Sequence, residues 1–303
     1  MDKDRHFPQI LSSFWLKVVA LLTMTIDHVG YLMQFNQIAP NVALVFRIIG
    51  RLAMPLFCFM IAEGAIHTKN FNKYALRLGI MASVVSLIII GSQEIPFFRN
   101  NRLSMRDEGV IFIDLLLGAV SIYLLRKDKW YLKILAIIPL LYGIGCFVAC
   151  ELEYCGCYGE VWWIPYFMRS QYGWYAILLI VLFYVAHLLN KLFIRLVSSF
   201  SQIPEEAYED SYFSRNSYNI IAVIVLILAT VVYCVICEYT PPKYAFFEDY
   251  YSLQFFAILT GAFILLYNGL RGYNKKWFQY GSYLYYLLHM LLIAIVFYLI
   301  TLI

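Results

Sequence analysis

Lys17 and His28 stand in FWLKVVALLTMTIDHVGYLMQF, separated by ten residues of which only Asp27 is charged. At 100° and 1.5 Å per residue, the eleven steps bring the two side chains back to within about 20° of one another and about 16 Å apart along the axis. One face of an apolar helix thus carries an ammonium toward one end and an imidazole toward the other. An imidazole takes up a proton near neutral pH, so one end can host general-base chemistry and the other a cation for an anionic group. Ionisable groups in hydrocarbon cost about 2.5 kcal/mol or more each on insertion scales, so they mark a pathway or a site. Asp27 points about 100° away from His28. It therefore reads as a supporting partner, or as the mate of a cation on another helix.

A second concentration lies in VFRIIGRLAMPLFCFMIAEGAIHTKN. Arg47 and Arg51 are i,i+4 neighbours toward one end, and Glu63 and His67 are i,i+4 neighbours toward the other. Guanidinium groups at that depth must face the bundle, Asp27 or an anionic ligand. An Asp27–Arg51 ion pair that only fixes packing is the competing structural reading. Pro55 is expected to kink this helix and free a carbonyl. Lys69, Lys73 and Arg77 follow, and such cations at a membrane mouth suit either a phosphate-bearing cofactor or an ordinary interfacial anchor. Near the end of the chain, Tyr283, Tyr286 and His289 recur at i, i+3 and i+6, an aromatic face with a buried histidine. His187 reads as a boundary residue, and His6 falls in the polar N-terminal stretch.

The elements that position these residues are membrane helices. Hydrophobic residues make up 62% of the 303 and charged residues 14%, with a mean hydropathy of +0.71. Soluble domains do not have this composition. Apolar runs long enough for about 30 Å of hydrocarbon recur at 14–36, 45–67, 72–91, 109–126, 131–150, 174–195, 218–238, 252–270 and 279–302. The fold class expected is all-α, a polytopic bundle of about nine spans forming a single domain over 1–303. Neither an internal repeat nor a cleavable leader is apparent. The segment SSFSQIPEEAYEDSYFSRNS is expected to be a polar hinge between two groups of helices.

Loop charge sets the expected orientation. Arg126, Lys127, Lys129 and Lys133 crowd one connection and Arg271, Lys275 and Lys276 another, so both are expected to be cytoplasmic. Counting spans puts the N-terminus, the Lys69–Lys73 loop and the Lys191, Arg195 and Arg215 loop inside, and the C-terminus outside. Arg99, Arg102 and Arg106 run against this pattern. The net charge of +4 is scattered, without the basic stripe of a nucleic-acid binder. Of the seven cysteines, Cys58, Cys146, Cys234 and Cys237 read as core residues. Cys150, Cys155 and Cys157 lie where an oxidising exterior permits a disulfide, and the surroundings of CGC lack a convincing metal-ligand set. The chain has no GxxxxGK[ST] loop, HExxH pair or GxSxG elbow.

LKVVALLTMTIDHVGYL, IGRLAMPLFCFMIAEGAIHTKN and YALRL together resemble the TraX family, named for an enzyme that acetylates the N-terminus of a conjugative pilin. The same features look like the wider superfamily of transmembrane acyltransferases. In some of those proteins an Arg or Lys, ten residues and a His occupy the first helix, as Lys17 and His28 do here. SYLYYLLH is similar to their closing helix. The resemblance implies a membrane-embedded acetyltransferase with acetyl-CoA as donor and no metal. His28 is then the expected general base, or the site of a transient acetyl-imidazole, with Asp27 and Arg51 as the other catalytic candidates. Lys17, Arg47, Glu63, His67, Lys73 and Arg77 are the cofactor-binding candidates, and Tyr286 and His289 are further site residues. The expected partners are acetyl-CoA, the lipid bilayer and an acceptor that the residues do not identify: a pilin N-terminus, a glycan or a lipid-linked sugar. Nucleic acid is not expected, and a bundle of this kind can form a homo-oligomer. A proton-coupled transporter using Asp27, His28 and Arg51, and a non-catalytic assembly scaffold, are the alternatives.

Overall fold

The computed structural model describes residues 9–96, 109–154, 161–208, 211–239 and 252–301. All the regular structure among them is helical: α1 (Ser13–Phe35), α2 (Pro40–Gly50), α3 (Ala53–His67), α4 (Phe71–Glu94), α5 (Ile111–Leu125), α6 (Trp130–Leu135), α7 (Ile138–Tyr154), α8 (Gly173–Ser201), α9 (Tyr212–Glu238), α10 (Thr260–Leu265) and α11 (Lys276–Thr301). Short 3-10 turns precede α8, α9 and α10. With no water in hydrocarbon to satisfy the backbone, an apolar chain closes its hydrogen bonds within helices. Seven described stretches are long and apolar enough to cross a bilayer, with α2 and α3 counting as one crossing and α6 and α7 as another. The protein is a multi-pass helical membrane bundle.

Among the described residues, the remaining two expected spans are apolar helices of fewer than 18 residues, Ile111–Leu125 and Ser252–Leu265. Local sequence sets both ends of the first and the C-terminal end of the second. Gly109, at φ +70°, lies two residues before α5, and Arg126, Lys127 and Asp128 follow that helix directly. Beyond α10, Asn268 Oδ1 accepts from Leu270 N, and Gly269 takes φ +75°.

The expected kink in the second span falls earlier than Pro55. The break is at Arg51–Leu52, where Arg51 N donates to Ile48 O and Leu52 N to Ile49 O, three residues back. Proline at 55 removes the N–H that would have bonded the Arg51 carbonyl, so the helical ladder weakens one turn upstream of the ring. Thr260 of α10 donates its hydroxyl to Leu52 O at 3.3 Å, covering the backbone beside the break.

Both ends of the polar hinge expected over 198–217 are helical. The α8 helix runs on to Ser201, and α9 starts at Tyr212. Gln202, at φ 58°, closes α8 in the left-handed region. Ser211 caps α9 by accepting from Ser214 N. Cys150 is a free thiol among the described residues, whereas Cys155, Cys157 and the Arg99–Arg106 cations lie outside them.

At the centre, α3 lies against α1, α5 and α8. Phe59, Leu56, Phe183, Tyr175 and Tyr218 are fully buried there. Leu22, Leu87, Leu228 and Ile295 are among many large apolar side chains exposed on the outside, where lipid would cover them. The chain alternates direction. The C-terminal ends of α3 and α5 meet through Arg126, which donates to Ala65 O at 2.7 Å. Arg215, near the start of α9, reaches Glu63 of α3. At this same end the residues before α1 pair with the residues after α10: Leu11 N donates to Leu266 O, Asn268 N to Leu11 O, and Ser13 N to Leu270 O. The last of these satisfies one of the orphan amides that open any helix.

Candidate functional site

Two faces of α1, about one residue step apart, carry the polar contacts. The first turns toward α2. Arg47 Nη1 donates to Asp27 Oδ2 at 2.8 Å, and Arg51 Nη2 donates to Asp27 Oδ1 at 2.6 Å. Arg51 Nε also donates to Arg47 O. All three side chains are buried. Two glycines permit the helices to approach this closely. A Cβ at Gly50 would lie 2.1 Å from Asp27 Oδ1, and one at Gly30 would lie 2.7 Å from Phe46 Cβ. Arg47 also stands over the Tyr31 ring, 5.4 Å from its centre.

The second face turns toward α11, which runs beside α1 in the same direction. Lys17 Nζ stands 6.0 Å from the centre of the Phe278 ring, and His28 Nδ1 lies 2.8 Å from His289 Nε2. The difference in residue number is the same for both pairs, as parallel helices in one register require. Thr25, on the turn below His28, bonds the Tyr285 hydroxyl at 2.5 Å. Because the Thr25 hydroxyl already donates to Leu21 O, the Tyr285 phenol is the donor between them. His289 is buried, with Tyr285 stacked on it and Tyr286 tilted against it. Phe112 of α5 meets Tyr286 edge-on, 4.7 Å between ring centres. Beyond His28, Val29, Met33, Ile38, Leu292, Ile293 and Val296 line an apolar cleft of about 510 Å³.

The remaining candidates gather at the opposite end of the bundle. Glu63 Oε2 accepts from the Tyr267 hydroxyl at 3.2 Å and from Arg215 Nη1 at 3.4 Å. Tyr267 in turn bonds Ser13, one helical turn before Lys17. Arg215 lies over both Tyr218 and Tyr267. His67 bonds its own backbone at Glu63 O and meets the ring of His187 edge-on, 6.2 Å between centres. Lys73 and Arg77 are exposed on the first turns of α4.

The structure therefore brings Asp27, Arg47 and Arg51 into one ion cluster, His28 and His289 into one contact, and Glu63 close to the Lys17 end of α1. Reading the sequence missed Arg215, Tyr267 and His187 as partners. Arg215 carried only the signal of a loop cation, and Tyr267 is one of 26 tyrosines.

The sequence profile of the family described as TraX protein matches residues 12–261. A probable fimbrial assembly protein FimC of Dichelobacter nodosus, serogroup H1, is 35% identical over 95 residues, 29% of this chain and 38% of that protein. The uncharacterized protein RP591 of Rickettsia prowazekii (strain Madrid E) is 32% identical over 134 residues, 39% of this chain and 46% of that protein. The chain thus matches less than half the length of either relative. No solved structure matches it. The span of the profile match takes in α1 with its Lys17–His28 face, the Asp27–Arg47–Arg51 cluster and Glu63, and the chain belongs to the TraX family.

Proposed function

We propose that this protein is a membrane-embedded acetyltransferase that moves an acetyl group from cytoplasmic acetyl-CoA to a hydroxyl or amine of an extracytoplasmic or membrane-associated acceptor. The observation that carries the reading is the second face of α1. His28 sits against a buried histidine within the bundle, and Lys17 stands on the same face, about 16 Å toward the end where Glu63, Arg215 and His67 gather. An extended pantetheine arm spans such a distance.

In this mechanism the cations of that end, with Lys17, Lys73 and Arg77 as the first candidates, hold the phosphates of the donor. Glu63 and His67 shape the same mouth. His28 takes the proton from the acceptor hydroxyl or amine as its oxygen or nitrogen attacks the thioester carbonyl. Negative charge gathers on the carbonyl oxygen, and the Arg47 and Arg51 guanidinium groups, anchored by Asp27 on the neighbouring position of α1, provide a positive field beside it. Collapse breaks the carbon–sulfur bond. The thiolate leaves with the electron pair and takes a proton from the His28 imidazolium, giving free CoA and the acetylated acceptor. Family membership and a relative named for fimbrial assembly favour a pilin-type acceptor among the candidates.

The test is acetyl-CoA binding and slow hydrolysis by the purified full chain in detergent. His28→Ala should leave binding intact and lower turnover by about 100-fold or more. Lys17→Ala should weaken binding by about tenfold, equivalent to about 1.4 kcal/mol. A folded, monodisperse wild type that neither binds nor hydrolyses acetyl-CoA would sink the proposal and turn attention to proton-coupled transport.

A further inference from the structure

His289 offers two nitrogens, and its surroundings assign a proton to one of them. Its Nδ1 lies 2.7 Å from Tyr286 O and 3.2 Å from Tyr285 O, the carbonyls three and four residues back on α11. Carbonyl oxygens only accept, so this nitrogen carries the hydrogen. In a neutral imidazole the other nitrogen, Nε2, then presents a lone pair. That lone pair faces His28 Nδ1 at 2.8 Å. A hydrogen bond between two ring nitrogens needs one hydrogen, and His289 Nε2 has none to give.

From this we infer that His289 is a positioning residue which fixes His28 as the Nδ1–H tautomer and leaves His28 Nε2 as the basic nitrogen. Burial of His289 and the stacked Tyr285 ring hold the acceptor in place, and the Thr25–Tyr285 bond locks the two helices one turn away. The arrangement also suits the charged state. When His28 Nε2 takes a proton, Nδ1–H still donates to His289, so the contact survives in the imidazolium. Protonation of His289 at Nε2 would instead set two hydrogens against each other. A neutral imidazole here serves the tautomer-setting purpose that a carboxylate serves in hydrolase triads. Asp27, the nearest carboxylate in sequence, is occupied by Arg47 and Arg51.

The catalytic consequence of this inference rests on the acetyltransferase reading, but the tautomer itself does not. The full chain, labelled with ¹⁵N-histidine in detergent, contains five histidines, and long-range ¹H–¹⁵N spectra of His28→Gln and His289→Gln assign the two of interest. Wild-type His28 should show a protonated Nδ1 and an unprotonated Nε2. Finding the hydrogen on His28 Nε2 would overturn the inference without recourse to any variant. In acetyl-CoA hydrolysis, His289→Leu should lower kcat by about 100-fold with KM little changed. His289→Gln, whose amide oxygen can accept from His28, should recover most of that loss. Equal rates for the wild type and His289→Leu would also count against the inference. The expected tautomer in a wild type that turns over no acetyl-CoA would support the positioning and defeat the acetyltransferase reading.

Discussion

A single carboxylate, Asp27, receives two guanidinium groups among apolar neighbours. Burying three charges is costly on any insertion scale, and the arrangement persists because each oxygen of Asp27 has its own donor. The two kinds of truncation should therefore differ. Arg47→Ala or Arg51→Ala leaves Asp27 paired with the other arginine, whereas Asp27→Ala takes the shared carboxylate from both. Asp27→Ala should cost more, about 3–5 kcal/mol by the behaviour of broken buried pairs. Thermal unfolding in detergent should rank it below both arginine variants. Melting temperatures for all three equal to that of the wild type would show that the cluster does not fix the helices. At this scale the sequence was informative about type and less so about partnership. The one-residue step between Asp27 and His28 is visible in the periodicity, and so is their divergence. That the histidine meets His289 is not visible, because the two lie 261 positions apart and no periodicity crosses that interval. The same holds for Glu63 with Arg215 and Tyr267.

The first two crossings depend on glycine at the element scale. Gly50 faces Asp27 and Gly30 faces Phe46, and neither site has room for a methyl group. The obstruction at Gly50 is Asp27, held in place by two arginines, so it cannot swing aside cheaply. Gly50→Ala should separate α1 from α2, lower the melting temperature markedly and weaken the Asp27 cluster. Gly91 on α4 has open space around it, with nothing within 4 Å of the point where a methyl group would stand, so Gly91→Ala serves as a control and should be neutral or slightly stabilising. A Gly50→Ala protein as stable as Gly91→Ala would remove close helix approach from the account. Hydropathy located the crossings well because membrane burial is written into every residue of a span. It located the ends poorly wherever the end is set by a single contact: the Arg51–Leu52 break, the Ser211 cap that extends α9 into the expected hinge, and Gly269 after α10.

For the whole molecule, the parallel course of α1 and α11 fixes a relation between the ends of the bundle that holds whichever way the protein is inserted. The start of α1, the end of α3, Arg126 and Arg215 share one end, and the turn after α1 lies at the other. By the positive-inside rule the first of these ends is the one expected in the cytoplasm, and the acetyl-CoA proposal needs that orientation because the donor is a cytoplasmic metabolite. Gln37 and Asp128 are exposed residues in connections at the two ends. With the seven native cysteines replaced, a membrane-impermeant maleimide should label Gln37→Cys in intact cells and Asp128→Cys only after permeabilisation. The reverse pattern would put Lys17 and its neighbouring cations on the outside, out of reach of the donor. His28 would then lie nearer the cytoplasm than Lys17 does, and the path along α1 from phosphate to imidazole would run the wrong way for an outward acetyl transfer.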